Sequence, residues 1–228
     1  MRITRVVVWL SGVLMGIVGL ATSAGAETGL GIRGGTFGIG VDFDVSLLDK
    51  LSLRLAYNGF NYNQTVDDTN VRYDGKLKIS SFSSLLEWYP VGGGFRLSAG
   101  AIASTPKIDL TGTPTGGTFQ IGNNTYTAAQ VGSLNGTLKF GNSIAPYVGL
   151  GYGNVVSAKH RVSFLFDVGA VYGGTPDVSI VATCGAGVPP ATCTQLQNDT
   201  AVEIQKLKNN ASNVEWYPVV SLGLGIRF

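Results

Sequence analysis

The chain has 228 residues, only 13% of them charged, and its formal net charge is +2. Without the two arginines of residues 1–26, fourteen basic and fourteen acidic side chains remain, and the net charge is zero. A neutral chain with scattered basic residues has no electrostatic basis for binding nucleic acid, so we exclude that class. Sparse charge, 33 glycines and a positive mean hydropathy are typical of alternating strands that face lipid.

Residues 1–26 have the features of a secretory signal peptide. Two arginines precede an apolar run, and small residues lead to an expected cleavage after Ala26. The run is shorter than the ~20 residues that a membrane-spanning helix needs, and no later run reaches that length. We therefore expect a signal peptide at 1–26 and a mature domain at 27–228 that can enter a membrane only with strands.

Eight segments alternate between apolar and polar residues with a period of two, which predicts eight strands. The predicted strands are 29–33, 37–45, 51–60, 77–89, 95–110, 137–153, 161–172 and 214–228. After a tight link at 34–36, short links at 46–50, 90–94 and 154–160 alternate with long ones at 61–76, 111–136 and 173–213. Outer-membrane barrels have this asymmetry, with short periplasmic turns, long extracellular loops and both termini in the periplasm. We predict an all-β fold, an eight-stranded antiparallel transmembrane β-barrel.

The alternation also assigns the charged side chains of these strands to the lumen. A charge on the lipid face near the bilayer centre costs about 2 to 4 kcal/mol, so the charges should point inward. The predicted lumen residues are Arg33, Asp42, Asp44, Arg54, Glu87, Arg96, Asp167, Glu215 and Arg227. Since both signs are present, buried charges can pair with one another.

These lumen charges have two interpretations. They can form a structural ion network that fills the lumen. They can also form polar stepping points, at which the acids attract the positive group of a small cationic or zwitterionic solute and Arg54 and Arg96 attract its carboxylate. Eight strands enclose a space only just wide enough for their own side chains, so passage would require side-chain rearrangement.

The long connections contain further elements. Cys184 and Cys193 are the only cysteines, and in an exported protein they predict a local disulfide. The stretch TFQIGNNTYT at 118–127 predicts a hairpin. Thr200 and Glu203 have the spacing of a capping box and predict a short helix that begins there. The hairpin and the helix are candidates for a lid over the barrel mouth.

Motifs for catalysis are weak. GLGIRG at 29–34 matches a dinucleotide-binding pattern, but no helix follows it. His160 is the only histidine, and it lies in a predicted periplasmic link, on the wrong side for a lipid-modifying hydrolase. We predict that the protein is not an enzyme and has no cofactor and no metal site.

Four stretches resemble a known family: IGNNTYTAAQ, SIAPYVGLGYGN, GAVYGGTPDVSI and VEWYPVVSLGLGIRF. They are similar to the CarO-like outer-membrane porins, which are associated with ornithine uptake and carbapenem susceptibility. The resemblance covers most of the mature chain and is strongest from about residue 121 to the end. It implies a small eight-stranded barrel linked to uptake of basic amino acids such as ornithine and to passage of carbapenem antibiotics. It transfers no catalytic residue.

The chain ends on the alternating stretch SLGLGIRF. We predict that this last strand pairs with the first, because an open barrel would leave a backbone edge in lipid. From the family resemblance, Phe228 is also expected to be the recognition signal for the barrel-assembly machinery.

Two functions remain open. The resemblance favours a narrow porin for small polar solutes such as basic amino acids. The narrow lumen favours the alternative, a closed structural or surface-interaction barrel of the OmpA type. In either case we expect the protein in the outer membrane of a Gram-negative bacterium, after export through a cleaved signal peptide. The expected partners are outer-membrane lipid, the barrel-assembly machinery and small cationic or zwitterionic solutes.

Overall fold

The computed structural model describes residues 26–67, 70–139, 141–157, 160–211 and 215–228. The predicted signal peptide lies outside these ranges, apart from Ala26. The described residues form β1 (Thr28–Gly35), β2 (Gly38–Leu48), β3 (Leu51–Asp67), β4 (Val71–Trp88), β5 (Phe95–Ser104), β6 (Lys107–Pro114), β7 (Thr118–Ile121), β8 (Asn124–Thr127), β9 (Val131–Lys139), β10 (Ile144–Tyr152), β11 (Val162–Tyr172), β12 (Asp177–Cys184), α1 (Pro190–Ala211) and β13 (Trp216–Arg227).

Eight of the strands close into an antiparallel barrel, as predicted. Their order around the wall is β1, β2, β3, β4, β5, β10, β11 and β13. The barrel closes where β13 pairs with β1, in a register that matches Gly29 with Arg227 and Gly35 with Ser221. Both termini of the barrel therefore lie at one end, the predicted periplasmic end, and each of the eight described wall strands pairs with a neighbour on both sides.

Much of what the sequence analysis assigned to long loops is strand. β3 and β4 pair without interruption from Leu51 and Trp88 up to Asp67 and Arg72, so the predicted loop at 61–76 is mostly a hairpin. The predicted strand 95–110 divides into β5 and β6, which are separated by Thr105 and Pro106. Proline has no N–H for the ladder, and a division at this point is consistent with that.

Above the barrel rim, β6, β9 and β12 join the upper halves of β3 and β4 in a five-stranded sheet. We call this the extracellular sheet. Its lumen-side face carries a register row of apolar side chains: Tyr62, Leu77, Ile108, Leu138 and Val178. Its outer face carries the row Asn61, Lys78, Lys107, Lys139 and Asp177. The polarity of the wall is therefore inverted above the rim, because inside the bilayer its outer face is apolar.

The predicted hairpin is present as β7 and β8, with Ile121 paired to Asn124. Gly122 lies in the turn with a positive φ of 63°, a conformation that a side chain would strain. A Cβ at this position would also lie 2.9 Å from the carbonyl oxygen of Asp199 in α1. The turn therefore requires glycine both for its backbone conformation and for its close approach to the helix.

The helix begins at Pro190, ten residues before the predicted start, and Thr200 lies inside it. The predicted capping box is wrong, because the Thr200 hydroxyl donates a hydrogen bond to the carbonyl of Leu196 instead of capping a terminus. The principal contacts of α1 are with β12 and β7, so the helix builds onto the extracellular sheet. Within the described ranges no helix combines the length and the hydropathy needed to cross a bilayer.

A small core joins the helix, the hairpin and the sheet. Its buried members are Ile121, Tyr126, Val131, Ala182 and Leu196. The predicted disulfide between Cys184 and Cys193 is present and ties the end of β12 to the first turns of α1. Beside this core, the Tyr126 hydroxyl and the Asn124 side-chain amide both donate hydrogen bonds to Asp199 Oδ2.

We expect Tyr126→Phe to loosen the contact between hairpin and helix. Burial and the bond to Asp199 raise the pKa of Tyr126 to about 12, so the tyrosine holds its proton more tightly in the folded state. Its contribution to stability is therefore complete below pH 10 and is lost as the pH rises through about 12. Losing a hydrogen bond to a carboxylate should speed amide hydrogen exchange in α1 by roughly ten- to a hundredfold.

Hydrogen exchange of wild type and variant, followed between pH 7 and pH 11, provides the measurement. The variant should lose the alkaline part of the pH dependence, and exchange in β1 and β13 serves as the internal control because the change does not reach the barrel. Equal exchange of α1 in the two proteins would contradict the assignment of this contact as a stabilising one.

Candidate functional site: the barrel lumen

Strand alternation brings seven of the predicted charged residues together inside the barrel. Each is nearly inaccessible to solvent, from 0% exposure for Arg96 to 6% for Arg33. The seven are Arg33, Asp42, Asp44, Arg54, Glu87, Arg96 and Asp167. We call this group the lumen network.

Asp167 of β11 is the first centre of the lumen network, because three arginines from three other strands converge on its carboxylate. Arg96 Nη2 lies 2.7 Å from Asp167 Oδ1, and Arg54 Nη1 lies 3.2 Å from Oδ2. Arg33 Nη1 also donates to Oδ2, and the Ser221 hydroxyl approaches the same oxygen at 3.4 Å. These bonds connect β1, β3, β5, β11 and β13 across the lumen.

Glu87 of β4 is the second centre. Arg54 Nη1 and Arg96 Nε each lie 3.1 Å from Glu87 Oε1. Both are ion pairs by distance, but neither is aligned as a hydrogen bond, because Glu87 Oε1 and Arg96 Nε have no hydrogen-bond partner among the described residues. On the other carboxylate oxygen, the Tyr89 hydroxyl donates a bond of 2.8 Å. Two arginines therefore link Glu87 to Asp167, and buried charges of opposite sign are paired.

One carboxylate in the network has less support. Arg33 Nε pairs with Asp42 Oδ1 at 2.8 Å, but Asp44 Oδ2, in a residue only 1% exposed, has no hydrogen-bond partner among the described residues. The network as a whole contains three arginines and four acids. Within the described ranges, Asp44 is the acid of the network that has no arginine at ion-pair distance.

Small residues make room for these large side chains. A Cβ on Gly151 would lie 2.7 Å from Asp167 Oδ1, and one on Gly31 would clash with the carboxylate of Asp42. Side chains at either position would displace an acid from its arginine partners. Gly31 and Gly151 are thus a consequence of the network's volume in an eight-stranded wall.

A layer of apolar side chains lies next to the lumen network on its extracellular side. Its buried members are Leu85, Ile102, Ala145, Tyr147, Val171 and Val219, against which Phe37 and Tyr217 pack. The sequence analysis did not identify this layer, although the period-two pattern contains the signal. Leu85, for example, is two residues from Glu87 and therefore on the same face of β4.

The space left in the lumen is small. The cavity beside Arg33, Arg54 and Asp167 has a volume of ≈ 50 Å³. A second cavity, beside Phe37 and Tyr217, has a volume of ≈ 20 Å³. A water molecule needs roughly 10 to 15 Å³ on this measure, so the two cavities together hold a few waters. Cavities of this size are too small to form an aqueous path through this part of the lumen.

Two of the predicted lumen residues lie outside the network. Glu215 directly precedes β13 at the extracellular rim, where its carboxylate lies near the Tyr172 hydroxyl and raises the pKa of that tyrosine. Arg227 lies at the periplasmic end, where its Nη1 pairs with Glu27 Oε2 at 2.6 Å. Both residues are at strand ends, where the wall meets water, and charges there need no buried partner.

The other predicted site residues occupy the two ends of the molecule. Phe228 is 65% exposed at the periplasmic end, and its amide donates to the carbonyl of Thr28 at 3.2 Å. His160 is exposed in the link between β10 and β11, also at the periplasmic end. Cys184 and Cys193 lie at the opposite end, in the extracellular part.

We compared the chain with protein families, curated proteins and solved structures. No protein-family model matches the chain, and no curated protein matches its sequence. Among solved structures, the chain is similar to the crystal structure of Acinetobacter baumannii CarO2, with a TM-score of 0.60 and 25% identity over 89% of this chain and 98% of that one. Acinetobacter baumannii CarO gives a TM-score of 0.59 and 25% identity over 88% of this chain and 97% of that one.

The comparison agrees with the closed eight-stranded wall, and the similarity covers almost the full length of both solved structures. It supports an outer-membrane location. The resemblance seen in the sequence is confirmed by the fold. The chain is thus similar, in fold and over almost the full length of the solved structures, to the CarO-like small eight-stranded outer-membrane β-barrels.

Proposed function

We propose that this protein is a closed outer-membrane barrel that displays the extracellular sheet, hairpin and helix for interactions at the cell surface. The filled lumen is the observation that supports this proposal. Three arginines and four acids occupy its middle, an apolar layer adjoins them, and the lumen cavities hold only a few waters. A barrel filled in this way is a rigid membrane anchor for the extracellular sheet, the hairpin and the helix.

The extracellular sheet supports the interaction role. From Asn61 to Asp67, β3 pairs with β4 on one side, while β2 accompanies it only up to the pair of Ile39 with Gly59. The described pairings therefore leave the other edge of this segment open above the rim. An open edge offers N–H and C=O groups to which an extended segment of a partner can add as a strand.

A second candidate function is the narrow path for basic amino acids that the family resemblance implies. One observation favours it: the cavity beside Arg33, Arg54 and Asp167 lies next to charges of both signs, and Asp44 has an unused carboxylate oxygen. A zwitterion with an additional amino group, such as ornithine, could exchange partners with these groups. It would have to displace both the ion pairs and the apolar layer to pass.

Flux measurements separate the two candidates. Folded protein in liposomes should show no swelling with ornithine and no single-channel conductance, because the lumen network and the apolar layer leave cavities of only ≈ 50 Å³ and ≈ 20 Å³ beside them. A sixteen-stranded porin in the same liposomes provides the positive control. Ornithine flux that disappears in the double variant Asp42→Asn and Asp44→Asn would overturn the closed barrel in favour of the amino-acid path.

The structural role of the lumen network has its own test. We expect Arg54→Ala to lower the free energy of unfolding by about 3 to 5 kcal/mol, because it leaves two buried acids with one arginine fewer. The matched control is Arg72→Ala, which removes an exposed ion pair with Asp67 and should leave barrel unfolding unchanged.

Unfolding by urea in detergent micelles, followed by tryptophan fluorescence, measures both variants. Equal midpoints for Arg54→Ala and wild type would show that the buried ion pairs do not hold the wall together. The charges would then be free for a transport role.

For Phe228 we propose the assembly role that the family resemblance suggests. Its side chain is mostly exposed, so its loss should change the stability of the folded barrel little. Deletion of Phe228 should instead reduce the amount of protein assembled in the outer membrane severalfold. The heat-modified mobility of the purified protein measures stability, and the amount in membrane fractions measures assembly. Normal assembly of the deletion variant would refute this role.

A further inference from the structure

Three lysines form one register row on the outer face of the extracellular sheet. Lys78 of β4 is paired with Lys107 of β6, and Lys107 is paired with Lys139 of β9. We call these three residues the lysine row. β4 crosses the rim without interruption, so Lys78 is on the same face as Phe82, which faces the membrane. The lysine row therefore points outward, toward the surface of the surrounding bilayer.

The charge of the row is only partly balanced. Lys107 pairs with Asp109 Oδ2 at 2.8 Å. Asp177 is opposite Lys139 in register, but its carboxylate pairs with Lys208 of α1 at 3.1 Å. Within the described ranges, the other two lysines of the row have no ion-pair partner. Like charges at opposite positions destabilise a sheet, so stability alone does not account for three adjacent lysines.

A groove accompanies the lysine row. It has a volume of ≈ 760 Å³ and is lined by all three lysines. Hydroxyl groups lie along it as well, from Tyr57, Ser80, Ser104, Thr105 and Ser143. Ammonium and hydroxyl groups are hydrogen-bond donors that suit phosphate oxygens. The groove is therefore equipped for an anionic group that accepts several hydrogen bonds.

The height of the row relative to the membrane identifies the source of that anion. Below the row, a register-matched set of outward side chains is apolar or aromatic: Tyr57, Phe82, Ala103 and Ile144. Lys78 is four residues above Phe82 on one continuous strand, which is about 13 Å along the strand and, at a strand tilt of about 40°, about 10 Å along the membrane normal. This distance separates the hydrocarbon belt from the level of the lipid headgroups. The outer leaflet of this membrane presents its negative charge as phosphates of a glycolipid.

We propose that the lysine row binds the phosphate groups of an outer-leaflet glycolipid, with the groove hydroxyls as further donors. The acyl chains would then lie against the apolar set directly below. Because the row is on three adjacent strands, one bound headgroup would connect β4, β6 and β9 at the rim. The site does not depend on whether the lumen conducts.

The test uses the full barrel in phosphatidylcholine nanodiscs, titrated with bisphosphorylated lipid A and analysed by native mass spectrometry. The double variant Lys78→Gln and Lys139→Gln should bind this lipid about twenty- to thirtyfold more weakly, as expected for the loss of two charges at a membrane surface. The matched control, Lys50→Gln and Lys206→Gln, changes the net charge equally, at the periplasmic end and on α1, and should bind as wild type does.

Two further probes identify the ligand. Dephosphorylated lipid A should bind wild type and double variant equally weakly, and inorganic phosphate at millimolar concentration should not displace the bound lipid. Equal binding of phosphorylated lipid A by wild type and double variant would overturn the proposal. Displacement by inorganic phosphate would overturn it too, because the site would then bind free phosphate. The substituted side chains are on the surface, and heat-modified mobility on gels checks that each variant is folded.

Discussion

Hydrocarbon offers no hydrogen-bond partners, so every backbone N–H and C=O group within the bilayer must be satisfied by the protein itself. The pairing of β13 with β1 meets this constraint, and it limits the wall to eight strands. Such a wall leaves space only for its own side chains. The content of the lumen, the glycines that accommodate it and the small size of the cavities beside the lumen network all follow from this closure.

Within that narrow lumen, charged side chains are acceptable only as a connected set. Asp167 and Glu87 each hold more than one arginine, and Arg54 and Arg96 bridge the two acids. The network thereby joins opposite sides of the wall, which backbone pairing alone does not do. The adjoining apolar layer separates these charges from the extracellular mouth. The lumen network and the apolar layer together fill the middle of the closed barrel.

At the rim the barrel wall passes from lipid into water, and the polarity of its two faces changes there. β3 and β4 continue unbroken from lipid into water, so the alternation that directs Phe82 to the membrane directs Lys78 to the headgroup level. On the other face, Arg54 and Glu87 inside the barrel give way to Tyr62 and Leu77 above it. The inner face of the extracellular sheet can be apolar because the hairpin and α1 cover part of it. The same period-two alternation therefore directs side chains correctly both in the bilayer and above it.

The alternating sequence by itself determined the strand number, the closure by the last strand and the inward direction of the lumen charges, because side-chain direction in a strand depends only on parity. It also determined the disulfide, since two cysteines in an exported chain have one pairing. Only the tertiary structure decided that Asp167 and Glu87 are centres while Glu215 and Arg227 are not. Whether an inward charge joins the network depends on its height along the barrel axis. That height is set by the stagger between neighbouring strands, and the alternation of a strand's sequence carries no information about it. The same is true of the long connections, where Thr200 became the interior of a helix because packing on β12 outweighed a local capping signal.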